Sequence, residues 1–412
     1  MACERFLNFK PIDEPSWRKR DRRYECVPRV NEMIKDIVKY HERWEMKRGK
    51  TVKKGFAEAK REIVLEFLFR LQQDQGIGLN DQGTFEEIFN AEMNRKGRKR
   101  ERSLSGEDSS NKKKHKELLK KQPINEQASN KDVNDEESLP SSLETGDYFL
   151  NNSKDEGHAE DHKRIESINL LRGYKHLKNE LNKLSGEEQS GYVGEIDVET
   201  CIQECHEVLM RDLLDETKTR PGKFSVLPRS ANIDGEVFFY PSYATEEIAF
   251  KAVDTIVLEY NKMVKEISMK VDKHVKMELS LKCASVMLFA FLSLHPFSDG
   301  NGRLARLLCS HCLKVFCPFP TSIYNVFSPS NRDDYLRAIK NARQHSKINH
   351  DQIQYSEEAA KEAELILEQN PNELCSLVIE SNWFTWRQFL HRIGEDINLF
   401  EFEIKTQEIS VS

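Results

Sequence analysis

No apolar run in this 412-residue chain reaches the roughly 18–20 residues that a membrane-spanning helix requires. The longest, CASVMLFAFLSL at 283–294, reads as a buried helix, and no membrane partner is expected. MACERFLNFK, the first ten residues, lacks an apolar core of signal-peptide length. Disulfide spacing is absent too. The nine cysteines are odd in number and scattered, mostly inside apolar stretches such as those around Cys283 and Cys309. That usage favours a reducing compartment. Hydrophobic residues make up 38% of the chain and charged residues 32%, a balance that fits a folded core joined to a solvated segment. The expectation is a soluble intracellular protein of about two or three domains.

Large apolar residues are scarcest over 94–160, which reads as a disordered charged linker. The net charge of −6 hides its asymmetry, since NRKGRKRERSLSGEDSSNKKKHK is basic and NKDVNDEESLPSSLETGD acidic. Basic clusters around Lys99-Arg100 and at Lys112-Lys113-Lys114-His115-Lys116 flank the polar spacer 101–111. This is the pattern of a bipartite nuclear localisation signal, so the nuclear import machinery is an expected partner and the nucleus or cytoplasm the expected location. A solvated charge run that nothing reads is the competing interpretation. Aromatic residues do not interleave the basic ones, so nucleic acid is not expected as a partner.

On either side of the linker the periodicity is helical. Residues 1–93 form an N-terminal helical extension, in which FAEAKREIVLEFLFRLQQ (56–73) places Ile63, Leu65, Phe67, Leu68 and Leu71 near one side. TFEEIFNAEM (84–93) opens on a capping-box pattern. Residues 161–395 carry helical patterns at 164–184, 197–214, 244–267, 275–294, 303–316 and 333–343. One interruption, FSVLPRSANIDGEVFFYP (224–241), puts Asp234-Gly235 between two β-prone runs, a hairpin signal. Residues 396–412 are a C-terminal tail. The expected fold class is all-α with a β-hairpin flap.

Between the buried run 283–294 and the helical 303–316 lies HPFSDGNGRLAR, residues 295–306. Pro296 disfavours helix at His295, and SDGNG tolerates unusual backbone angles. Backbone N–H groups of such a loop, ending at a helix N-terminus, make an anion-binding concavity. Arg303 and Arg306, three apart, reach its mouth and suit a polyphosphate. Asp299 beside phosphate is a natural Mg²⁺ ligand, and His295 has the ordinary pKa of a general base near neutrality. A plain helix–loop–helix corner would not require this set at fixed offsets. Phosphoryl or nucleotidyl transfer is the chemistry the residues support.

HPFSDGNGRLAR resembles the signature of the Fic (Fido) family, HPFx[D/E]GNGRxxR, and matches it at every fixed position. Agreement extends over about 200 residues, through the flanking helices and the upstream hairpin. NRDDYLRAI (331–339) stands where members carry a related Arg-x-x-Tyr helix. The resemblance implies a protein adenylyltransferase that moves AMP from ATP, with Mg²⁺, to a Ser, Thr or Tyr hydroxyl of a protein substrate, and that in some relatives also removes it. It implies His295 as base, Phe297 packed beneath the loop, Asp299 on the metal, and Gly300, Asn301 and Gly302 around the α- and β-phosphates. Arg303 would support the β-phosphate, Arg306 would meet the γ-phosphate, and Tyr335 would belong to the nucleotide site. Phe238, Phe239 and Tyr240 on the hairpin flap would grip the target by strand addition. Members that phosphorylate instead usually lose the second glycine, whereas Gly302 is intact here.

Many members carry an inhibitory [S/T]xxxE[G/N] helix. NNSKDEGH (151–158) has Asn152 at the Ser/Thr position, and SLVIESN (376–382) offers Ser376 and Glu380 but ends on Ser381. The expectation is an enzyme without an evident brake of that form. Arg343 stands where some relatives place an Asn near the nucleotide, with Asn341 close by. Cys309 and Cys312 share a helix face among Leu, Val and Phe and read as buried thiols rather than metal ligands, as do Cys201 and Cys205. A second functional reading is a nuclear interaction protein whose Fic-like core binds nucleotide without turnover. A third is a nucleic-acid-binding factor acting through the basic linker.

Overall fold

A computed structural model describes residues 1–18, 27–48, 53–94, 156–184, 194–214, 218–233, 236–327, 331–343 and 352–397. The linker's basic clusters, the hairpin turn Asp234-Gly235 and most of NNSKDEGH lie outside the described residues. Helices within them are α1 (Ala2–Phe6), α2 (Val30–Arg48), α3 (Lys53–Gln75), α4 (Gln82–Asn94), α5 (Glu156–Leu184) and, after a π-turn at Val198–Gln203, α6 (Glu204–Leu209). The flap strands β1 (Ser230–Ile233) and β2 (Glu236–Phe239) come next, then α7 (Glu246–Ser268), α8 (Lys273–Leu294) and α9 (Asn301–Cys312). The last three are α10 (Asn331–Arg343), α11 (Ser356–Leu367) and α12 (Asn372–Arg392). This is the mainly helical architecture with one antiparallel hairpin expected from the sequence.

Helix α8 is the axis of the fold. It begins where the Asp272 carboxylate accepts the Val275 N–H at 2.8 Å, satisfying one of the free donors of its first turn. Sixteen of its residues, from Met277 to Leu294, are buried with no polar stripe among them. A helix apolar all round must be surrounded, and α2, α7, α9, α10, α11 and α12 pack on it. The helix as a whole is longer than its apolar run and could cross a membrane by length and composition. The protein covers it instead, with 89% of its most apolar stretch buried inside.

The N-terminal helices add to the same core. Helix α2 lies on α8 and α12, α3 on α9 and α12, α4 on α5, and α1 on α7. Buried side chains run without a break from Phe6, Ile34 and Leu68 to Leu288, Leu304 and Trp386. A buried ionic contact pins the N-terminal segment: Arg18 Nε donates to Glu380 Oε1 at 2.6 Å, and Trp17 Nε1 donates to the other oxygen at 3.0 Å. Both charged side chains are almost wholly buried. This fixes Glu380 as a structural anchor on α12.

Breaking that pair leaves one buried charge without its partner. Glu380→Ala is expected to cost about 3–5 kcal/mol in urea unfolding. The double change Arg18→Met with Glu380→Leu is expected to cost much less, because no charge is then stranded. Equal losses for the single and double variants would contradict this role.

Candidate functional site

His295 ends α8 in the left-handed region, at φ 47° and ψ 56°. A side chain there costs about 1–2 kcal/mol relative to the right-handed form, and the turn it makes throws Phe297 back into the core. Phe297 is fully buried. Its ring lies 5.0 Å from that of Phe224 and flat on that of His206, with centroids 3.6 Å apart and an interplanar angle of 4°. Asn301 then closes the loop: its Oδ1 accepts the Phe297 N–H at 3.0 Å and its Nδ2 donates to the Phe297 carbonyl at 2.8 Å. The Asn301 side chain is thus used within the loop, and what it offers an anion is its backbone N–H.

Gly300 caps α9 with φ 73°. A Cβ there would lie 2.6 Å from Met210 Sδ, so only glycine fits. The first paired N–H of α9 is that of Leu304, to the Gly300 carbonyl at 3.1 Å. Those of Asn301, Gly302 and Arg303 have no partner within the helix and form a positive N-terminus. Arg306, one turn on, is buried with its guanidinium 4.4 Å from the centre of the buried Tyr335 ring. Its Nε and Nη1 meet no hydrogen-bond partner. Buried charged donors left this way are expensive, and an anion at the helix mouth would satisfy them.

Asp299 faces the same mouth. Its Oδ1 accepts the Gly300 N–H at 2.5 Å and stands 3.5 Å from Arg303 Nη2, while Oδ2 is 3.5 Å from Lys218 Nζ. Burial works against its charge, but Arg303, the Gly300 N–H and Lys218 prevail and hold its pKa below the usual carboxylate value. An ionised, half-exposed carboxylate beside an anion nest suits Mg²⁺, which takes one or two carboxylates and completes its shell with phosphate and water. No group of three or more His, Cys, Asp or Glu able to hold a metal occurs among the described residues. Described cysteines, including Cys201, Cys205, Cys309 and Cys312, are free and buried. Burial pushes the Cys312 thiol up to about 12 and the other three upward as well.

His295 stacks on Tyr240, with centroids 4.0 Å apart at 13°, and its Nδ1 has no partner. Burial, then Arg343, then Arg229, push its pKa down to about 3, so the ring is neutral at pH 7. Arg343 donates to the Leu292 carbonyl at 2.6 Å and lies 5.0 Å from the Tyr240 ring centre. Asn341 points elsewhere, donating to Glu373 at 2.5 Å.

The flap pairs Ser230 with Phe239 and Ile233 with Glu236. Arg229 clamps its base by donating to the carbonyls of Ser225 and Pro241. Alternation splits the three aromatics proposed for target docking. Phe239 is 50% exposed alongside Val237 at 57%, whereas Phe238 is half-buried near Lys340 and Tyr240 turns in to His295. Lys340 also pairs with Glu236 at 3.0 Å, tying flap to α10.

Three neighbours of the loop were not anticipated. His206, from α6, links Gly222 and Asp299. Lys218 faces the Asp299 carboxylate. Gln75, at the end of α3, places its Oε1 2.5 Å from where a Cβ on Gly302 would stand. Glu380, weighed as an inhibitory residue, has Arg18 and Trp17 as its bonded partners instead of Arg306.

A model of the Fic/DOC family matches residues 196–313, the stretch from the π-turn through the flap to the end of α9. That stretch is therefore similar to a Fic domain. Two curated proteins resemble parts of the chain. One is the ribonucleoside-diphosphate reductase small chain of Ostreid herpesvirus 1 (isolate France), 30% identical over 156 residues, which is 38% of this chain and 24% of that one. The other is a Fido domain-containing protein of Dictyostelium discoideum, 38% identical over 58 residues, 14% of this chain and 37% of that one. The matched segments thus span about a quarter and somewhat over a third of those relatives. Among solved structures, a Fic domain-containing signaling protein from Bacteroides thetaiotaomicron superposes with a TM-score of 0.52 at 15% identity, covering 89% of this chain and 99% of that one. That likeness concerns the fold.

Two buried histidines of the site give the fold an acid sensitivity. His206, lowered to about 4, and His295, lowered to about 3, bind fewer protons folded than unfolded between those values and their ordinary 6.5. Stability is therefore expected to fall as pH drops from 6.5 toward 4 and on toward 3. The urea midpoint measured at pH 7, 5.5 and 4.5 reads this, and His206→Gln should show the shallower slope. A wild-type midpoint that stays level across that range would contradict the assignment.

Proposed function

We propose that the chain is a protein adenylyltransferase, moving AMP from ATP to a Ser, Thr or Tyr hydroxyl of a protein substrate. One observation carries the proposal. A single loop brings together a neutral His295 with an unpartnered ring nitrogen, an ionised Asp299, and a helix N-terminus backed by the unpaired donors of Arg306. Base, metal ligand and anion nest are the parts in-line nucleotidyl transfer needs. The Fic-domain match supports the same reading.

In this reading His295 accepts the proton of the target hydroxyl as its oxygen forms a bond to the α-phosphorus. The bond from that phosphorus to the bridging oxygen breaks, and pyrophosphate leaves. The N–H groups at the start of α9, with Arg303 and Arg306, hold the phosphates and the charge gathering on the leaving group. Asp299 would hold Mg²⁺, which when bound neutralises phosphate charge and orients the leaving group. A base of pKa near 3 is weak, but its depression comes partly from Arg343 and Arg229. A polyanion close by counters those cations and raises the histidine toward its ordinary value. Phe239 and Val237, exposed on the flap, would meet the target backbone. Nuclear import through the basic clusters of the linker belongs to the same proposal.

Incubation with Mg²⁺ and ATP labelled at either the α- or the γ-phosphate tests the reaction. Only the α-label should be transferred, and His295→Ala should lower the rate by about 10²–10⁴-fold while nucleotide still binds. Transfer of the γ-label would mean phosphorylation, and bound nucleotide with no transfer would mean a non-catalytic binding core.

Gln75 stands at the mouth from outside the loop. Bound phosphates at α9 would have to share that space or displace the side chain. Gln75→Ala is accordingly expected to raise the self-labelling rate several-fold. A rate unchanged from wild type would mean that Gln75 is no obstacle.

A further inference from the structure

His206 lies outside the signature loop, yet its ring bonds to that loop's backbone. Its Nδ1 accepts the Gly222 N–H at 2.9 Å, and its Nε2 lies 3.0 Å from the Asp299 carbonyl oxygen. A backbone N–H can only donate, so Nδ1 must be bare. Nε2 must then carry the hydrogen and donate to Asp299. The two contacts together define a neutral ring in one tautomer. Its flat face covers Phe297, at 3.6 Å and 4°. Gly300 passes so close that a Cβ there would stand 3.2 Å from Nε2.

Two segments are joined through this ring. One is 218–222, which also offers Lys218 to the Asp299 carboxylate at 3.5 Å and the Thr219 carbonyl to Ser298 Oγ at 3.5 Å. The other is the loop 297–300. Holding the Asp299 carbonyl fixes the peptide between Asp299 and Gly300. That peptide carries the N–H that Asp299 Oδ1 accepts, and it sets the direction in which the carboxylate leaves the backbone. We propose that His206 is a positioning residue: it holds Asp299 in the orientation from which it serves a divalent cation, and holds Gly300 in the conformation that opens the helix N-terminus. The kinetic consequence rests on the adenylyl-transfer reading, but the geometric one does not.

Three variants separate the ring's contributions. His206→Phe keeps an aromatic face on Phe297 and removes both hydrogen bonds. His206→Gln keeps one donor and one acceptor, and His206→Ala removes everything. Thermal midpoints report folding. Nitrogen-15 NMR of the metal-free protein reports the imidazole tautomer and the amide signals of Gly222 and residues 299–301. The Mg²⁺ dependence of labelling, with kcat and KM for ATP, reports the site.

The wild-type ring is expected in the Nε2–H form at pH 7. His206→Phe should fold with a midpoint near that of wild type yet need about 10–100-fold more Mg²⁺ or lose a similar factor in kcat, as for other groups that orient a metal ligand. KM for ATP should move much less, and His206→Gln should recover part of the loss. A ring in the Nδ1–H form, or kinetic constants in His206→Phe matching those of wild type, would overturn the proposal. If His206→Phe does not fold, unaltered constants in a folded His206→Gln together with displaced 299–301 amides would overturn it equally. If wild type transfers no AMP, the adenylyl-transfer reading fails alone. The tautomer and the 299–301 amide signals then decide the role of His206, unmoved signals in the variants counting against it.

Discussion

The two hydrogen bonds between Asn301 and the backbone of Phe297 are the contact on which the site depends. They close a five-residue loop between two buried helices, so that the end of α8 and the start of α9 are held as one rigid corner. Each helix is locked elsewhere, α8 by neighbours on all sides and α9 by the buried row Leu304, Leu307 and Leu308. With both ends fixed, His295 can be kept in a left-handed conformation that an isolated chain would avoid. Strain at one residue is offset by burial on both sides of it.

Charge sets the second constraint. Arg303, Arg306, Lys218, Arg343 and Arg229 lie around a loop whose own acid is Asp299. Burying such a surplus is unfavourable, and a polyanion at the loop would relieve it. Burial first, and then Arg343 and Arg229 of this surplus, keep His295 neutral, as a proton acceptor must be. Preorganisation of this kind stores the cost in folding, where the large shared core covers it, so that little rearrangement is left for the moment of binding.

How much of this could be read from the sequence follows from the range of each interaction. Helices, the hairpin and the loop were legible because their signals are local: periodicity, turn residues and a dense polar string. Asn301 was placed at the loop, but its side chain bonds four residues back instead of facing phosphate. Tyr240 sits at the end of a strand whose alternation turns it inward, a direction the weak pattern at 224–241 did not reveal. His206, Lys218 and Gln75 could not be found, because each reaches the loop from 81 to 227 residues away and none stands in a distinctive local pattern. A lone histidine at helical spacing among apolar residues is usually just a core side chain. Nor did the sequence show which side chains on the two sides of the long linker would meet in one core, such as Arg18 and Glu380.

What joins these elements is the claim that the corner from His295 to Arg306 exists to move a nucleotide's α-phosphate onto a hydroxyl. Mass spectrometry of the chain and of a mixed protein pool after incubation with ATP and Mg²⁺, peptide by peptide, tests that claim most directly. The account predicts a Ser, Thr or Tyr carrying the added mass of one AMP, absent when His295 is replaced. An added phosphate alone, or no modified residue in the presence of bound ATP, would contradict it.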